Sequence, residues 1–145
     1  MKWLLQDEIT IEGNPVAKGR PRVTRTHAFT PKKTKLAQQI IRNEVEMHCS
    51  DDPLWPFGID SAIWLDVTFI FQRPKRLLRN KDPDSRMWKT TKPDLDNLLK
   101  LVKDAINDSG WWCDDKCVQK VTMEKLWASK TEAPKTIIKL YLPEE

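Results

Sequence analysis

In KPDLDNLLK, residues 92–100, two aspartates, Asp94 and Asp96, stand one residue apart. They follow a proline directly and precede an apolar run. Two carboxylates at one helix start can chelate a hard divalent cation. Mg²⁺ takes oxygen ligands in octahedral geometry and commonly uses only one or two protein carboxylates, leaving places for water and phosphate oxygens. Lys100, four residues after Asp96, could neutralise charge that develops on a phosphate during strand cleavage. The same residues also make an ordinary helix start. Asp94 can cap free backbone N–H groups, and Asp96 in the first turn favours the helix dipole. The Asp96–Lys100 pair at i,i+4 adds a few tenths of a kcal/mol.

A metal reading needs a third carboxylate from elsewhere. GWWCDDKCV, residues 110–118, supplies a candidate in Asp114 and Asp115, in the turn before a strand. A helix and the strand after it are usually neighbours in space. The plain alternative is a polar turn, where aspartate is common. Converging carboxylates would repel one another, so convergence would imply a cation.

The surrounding pattern predicts the elements that position these groups. Residues 3–11 alternate and read as a strand. GNPVAKGRPRVTR, with two glycines and two prolines, reads as a loop. Thr30–Pro31 predicts a helix start, and Leu36, Ile40, Ile41, Val45 and Met47 give an approximate helical stripe. Asp51–Gly58 is a connector. In residues 60–72, Leu65, Val67, Phe69 and Phe71 alternate as in a strand. Residues 73–93 predict a long mobile loop, of the kind that is usually functional or disordered. Residues 94–107 are the clearest helix. At about 100° per residue, Leu95, Leu98, Leu99, Val102, Ala105 and Ile106 share one face, with Asp96, Asn97, Lys100, Lys103 and Asp104 opposite. Residues 118–127 and 135–142 predict two final strands. The expected fold is α+β: a single domain over residues 1–145, with two main helices packed on a mixed β-sheet.

The 145 residues suit one domain with a real core. The net charge of +4 hides its distribution. Residues 13–35 hold seven Lys/Arg and no acid, and residues 73–92 carry a net +6. Those stretches together carry +13, which leaves −9 elsewhere. A segregated basic surface beside an acidic cluster suits a polyanion-binding protein with metal chemistry at its centre. Solvated basic loops are the bland alternative. The candidate phosphate contacts are Lys18, Arg20, Arg22, Arg25, Arg73, Lys75, Arg76, Arg79, Lys81, Arg86, Lys89 and Lys92. No run approaches the roughly 18 apolar residues of a membrane span, and the N-terminus has no secretory pattern. The odd count of three cysteines fits a reduced cytoplasmic setting.

PDLDN followed by LLK, then a helix, then a tryptophan before DD and a valine strand, resembles the RusA family of Holliday-junction resolvases. GNPVAKGRPR resembles the phage and Gram-positive branch of that family. The resemblance covers most of the chain, and its specificity lies in residues 92–108 and 111–118. It implies a small mixed α+β fold that dimerises and cuts four-way DNA junctions with Mg²⁺. Asp94 and Asp96 match the aspartates of the family's DLD motif. Asp115 matches the third metal-binding aspartate, Asp114 its supporting neighbour, and Lys100 the catalytic lysine. Cys117 departs from the glutamine that members often carry before the valine. No small-molecule cofactor and no membrane partner are expected.

A four-way junction needs two symmetric nicks, so a two-fold homodimer is expected. Most of the seven tryptophans suit a core or an interface. Trp88, beside Lys89 in the basic loop, could stack on unpaired bases at the junction centre. Three rival readings remain. One is a nucleic-acid-binding module whose aspartates only cap and turn. Another is a zinc site from Cys113 and Cys117, perhaps with His48 and Cys49, although that spacing fits paired C-x₂-C knuckles poorly. The third is the same chemistry on other branched or flap DNA.

Overall fold

A computed structural model describes residues 2–19, 22–23, 25, 28–29, 31–49, 62–112 and 115–144, with backbone alone for 22, 23, 28, 29, 49 and 115. The elements run β1 (Trp3–Glu12), β2 (Arg22–Val23), β3 (Ala28–Phe29), α1 (Lys32–Cys49), β4 (Ile63–Phe71), β5 (Met87–Trp88), α2 (Leu95–Ser109), β6 (Val118–Trp127) and β7 (Lys135–Pro143). Five strands form one mixed sheet in the order β1-β7-β4-β6-β5, and β2 and β3 pair separately. This is the expected α+β architecture. Arg20, the predicted cap Thr30, the 51–58 connector, Cys113 and Asp114 lie outside the described residues.

Alternation decides which sheet face packs. Ile63, Leu65, Val67, Phe69 and Phe71 of β4 are all buried and join Ile138 and Leu140 of β7 in the core. The helices cover that face. On α2, Leu98, Leu101, Val102, Ala105, Ile106 and Ser109 are buried, with Leu95 and Leu99 half-buried, close to the expected stripe. Gly110 ends the helix in the left-handed region at φ 75, where glycine carries no Cβ penalty.

The stripe expected on α1 is only partly the packed one. Ile41 and Val45 are buried, but Leu36, Ile40 and Met47 point outward, Met47 being 79% exposed. Helix α1 packs on α2 and β1 with Ile41 and Val45 buried, and a side 100° away stays in water. On the opposite sheet face, Trp64 stacks on Tyr141 at 4.2 Å, with Trp3 edge-on to it at 5.9 Å. Trp111 and Trp112 are buried in the core.

One pairing governs the placement of the candidate site. β4 and β6 are the only parallel neighbours in this sheet, running from Ile63 opposite Val118 to Phe71 opposite Trp127. A parallel pair requires a crossover, and α2 lies in it. The helix therefore travels back from the Phe71–Trp127 end of the strands to the Ile63–Val118 end.

Candidate metal centre and nucleic-acid interface

Asp94 stands at the N-cap of α2 with extended backbone, and its main-chain carbonyl accepts from Leu98 N at 3.2 Å. Its carboxylate makes no capping bond. The helix thus begins without using that side chain. Asp96 lies in the first turn. Both aspartates are exposed, and neither carboxylate accepts a hydrogen bond from a described residue. Lys100, one turn on, is exposed as well. Two unencumbered carboxylates at the positive end of a helix are hard oxygen donors, which suits a divalent cation.

Asp104, a further turn along, is engaged differently. Its carboxylate pairs with the Lys18 ammonium, and Lys18 N donates to the Asn97 carbonyl at 3.0 Å. The N-terminal loop is therefore docked along α2. Gly19 follows, its N–H donating to Thr34 Oγ1 at 3.0 Å. A Cβ there would meet that same oxygen at 3.0 Å and Pro31 Cγ at 3.1 Å, so a larger residue would push these neighbours back by a few tenths of an ångström. Lys18, expected on phosphate, instead ties this loop to the helix.

Asp115 was expected beside the DLD pair because a helix neighbours its following strand. The two are neighbours, but at the far end of α2. Asp115 opens a 3-10 turn, Asp115–Cys117, that runs directly into β6. The 15-residue α2 spans about 22 Å. The helix start sits by Lys125, whose Nζ donates to the Pro93 carbonyl at 2.8 Å. Val118 lies seven residues back along β6, about 23 Å away. The backbone path thus sets Asp115 about a helix length, roughly 22 Å, from Asp94. Among the residues whose side chains are described, which do not include Cys113, Asp114 or Asp115, no group of three His, Cys, Asp or Glu could hold a metal. Of the cysteines considered for zinc, Cys117 is half-buried against the core. His48 Nε2 lies 3.3 Å from Asp7 Oδ1.

Residues 73–93 are more ordered than a mobile loop. Arg73 is 4% exposed. Its guanidinium donates to the carbonyls of Ala128, Leu77, Pro83 and Ser85. Arg79 pairs with Asp82. Arg86 grips Glu132 through Nε and Nη2, and Lys130 donates to the Arg79 carbonyl. The excursion is thereby stapled to the 129–134 turn. Arg73 departs from the expected DNA contacts because burial and four acceptors take up its donors. Lys89 departs too. It is 8% exposed, its ammonium 3.9 Å over the Trp127 ring and 2.7 Å from Thr91 Oγ1. Burial, reinforced by the Lys125 and Arg76 charges, holds its pKa below the usual lysine range. Lys75, Arg76, Arg79, Lys81, Arg86 and Lys92 are exposed, and so is Trp88, by 67%. Arg25 is exposed in the N-terminal segment, where the Arg22 side chain lies outside the described residues.

Sequence reading passed over Lys125. In β6 it falls in phase with Val121, Met123 and Trp127, opposite Phe69. A charge interrupting an apolar alternation was the signal that could have found it.

The sequence model of the family described as Endodeoxyribonuclease RusA matches residues 12–141. The uncharacterized protein YqaN of Bacillus subtilis (strain 168) is 32% identical over 109 residues, which covers 69% of this chain and 73% of that protein.

Proposed function

The chain belongs to the RusA family of endodeoxyribonucleases, and from that premise we propose that it resolves four-way DNA junctions by paired symmetric nicks, as a Mg²⁺-dependent homodimer. The observation that carries this reading is the start of α2, where Asp94 and Asp96 leave both carboxylates uncommitted.

The metal site is composite in this reading. Asp94 and Asp96 of one subunit would hold the ion together with Asp115 of the partner subunit. The crossover supports this, since it sets the pair and Asp115 at opposite ends of α2. A two-fold axis that laid two such helices antiparallel would bring the start of one to the end of the other. Two symmetric sites would follow, matching two nicks. When bound, Mg²⁺ supplies an activated water and stabilises the leaving oxygen.

The chain's own groups do the rest. Lys100, on the exposed side of α2 one turn past Asp96, places its ammonium against the charge that grows on the scissile phosphate. Lys75, Arg76, Arg79, Lys81 and Lys92 contact flanking phosphates from a preformed excursion, with Arg25 and Arg22 on the N-terminal side. Trp88 offers a ring to unpaired bases.

The test is cleavage of a labelled immobile junction and a matched linear duplex, with Mg²⁺ or EDTA, by wild type and Asp96→Asn. Paired nicks in the junction alone, dependent on Mg²⁺ and lost in the variant, are expected. Tight junction binding without cleavage under any metal would make this a binding module, and full activity of Asp96→Asn would remove the metal assignment.

A further inference from the structure

Lys125 is a half-buried charge in an otherwise apolar row. Its row on β6, with Val121, Met123 and Trp127, lies opposite Leu65, Val67, Phe69 and Phe71 on the packed face of the sheet. The half-buried ammonium offsets the water it loses with hydrogen bonds. The compensation is specific. Lys125 Nζ donates to the Thr91 carbonyl at 2.7 Å and to the Pro93 carbonyl at 2.8 Å. Pro93 is the residue before Asp94, and the Asp94 carbonyl is in turn the acceptor of Leu98 N. The tether therefore ends one peptide away from the first candidate metal ligand.

The rest of this strap has little else to hold it. Thr90, Thr91 and Lys92 are exposed. Two further bonds act on the same short segment. Lys89 N donates to the Lys125 carbonyl at 3.2 Å, and Lys89 Nζ to Thr91 Oγ1 at 2.7 Å. Both ends of the strap are thus referred to one residue of β6. The carboxylates of Asp94 and Asp96 emerge into solvent from a helix start that Leu98 packs into the core and whose preceding strap Lys125 ties to the sheet.

We propose that Lys125 is a positioning residue of the metal centre: by holding the Thr91 and Pro93 carbonyls it fixes the entry to α2 and with it the placement of Asp94 and Asp96. This rests on reading those aspartates as metal ligands. Lys125 touches neither ion nor DNA in this role. Support of this kind, one shell behind the ligands, commonly changes metal affinity without changing the ligands themselves.

The experiment compares full-length wild type, Lys125→Met, Lys125→Arg and Asp96→Asn by calorimetric titration with Mn²⁺ and by amide hydrogen exchange, with thermal unfolding as a control. Methionine keeps the stem and suits the apolar row, whereas arginine keeps donors for two carbonyls. Lys125→Met is expected to weaken Mn²⁺ binding about tenfold. Exchange at Leu98 N should rise while β4 and β7 stay protected. Lys125→Arg should recover most of both. Mn²⁺ affinity in Lys125→Met within about twofold of wild type would overturn the proposal, because such support is worth more than that. An exchange increase spread over the whole sheet would overturn it too, since that is what general destabilisation gives. If wild type shows no Mn²⁺ site that Asp96→Asn removes, the metal reading itself has failed. In that case exchange at Leu98 alone decides, and an unchanged rate in Lys125→Met overturns the positioning role.

Discussion

Arg73 Nη1 lies 2.6 Å from the carbonyl oxygen of Pro83, ten residues further along the chain. This closes the base of the basic excursion, and three more carbonyls complete the shell around the guanidinium. Charge-assisted bonds of this kind are strong, and the acceptors left behind by a truncation are costly. Arg73→Met should therefore destabilise the fold by about 3 kcal/mol. It should also weaken junction binding, because the platform for the other basic side chains loosens. Urea unfolding and a gel-shift titration would check the two effects together.

Lys75 and Arg76 should behave in the opposite way. Both side chains are exposed and make no hydrogen bond or ion pair to a described residue. Replacing both with alanine should leave urea unfolding unchanged. The slope of log affinity against log salt should fall by about one for each lost phosphate contact. An unchanged slope would place the DNA elsewhere.

The crossover predicts complementation between dead variants. Asp96→Asn and Asp115→Asn homodimers should each fail to cleave. In a mixed dimer, one site joins the intact Asp94–Asp96 pair of one subunit to the intact Asp115 of the other. Mixing the two variants should therefore restore nicking of a single strand, read on a junction labelled in each arm. Sites confined to one chain would give no activity in any mixture.

Glu132 sets an acid limit on the tie between the excursion and the 129–134 turn. The Arg86 hydrogen bonds, helped by Ser129 N and the Lys135 charge, lower its carboxyl to about 2. A depressed folded-state pKa stabilises above the ordinary carboxylate range, and that contribution is lost as pH falls toward about 2. Arg86 is 41% exposed, so screening keeps the contribution to about 1 kcal/mol or less. Glu132→Gln should lower the urea midpoint at neutral pH and lose that difference in strong acid. A difference of constant size across that range would remove the ion-pair assignment.

Much of the fold was legible because it is written in local periodicity. Alternation at Leu65, Val67, Phe69 and Phe71 marked β4, and the apolar stripe placed α2 at 94–107, within two residues of each end. The outward turn of Leu36, Ile40 and Met47 was not legible, because periodicity shows that a helix has an apolar side without showing which neighbour meets it.

The candidate site divides along the same line. Sequence by itself determined the donor chemistry: two carboxylates and a lysine at one helix start, and a third carboxylate ahead of a valine strand. It also determined the charge segregation that invites a polyanion. Tertiary structure decided what those groups can reach. Sequence proximity of α2 to β6 says that they are adjacent, but only the parallel β4–β6 register sets the direction of the crossover, and direction puts Asp115 a helix length from Asp94. The same register turned Lys125 toward the Pro93 carbonyl and withdrew Arg73 and Lys89 from solvent. Formal charge is a property of a residue, whereas its availability depends on which dipoles and rings the fold places around it.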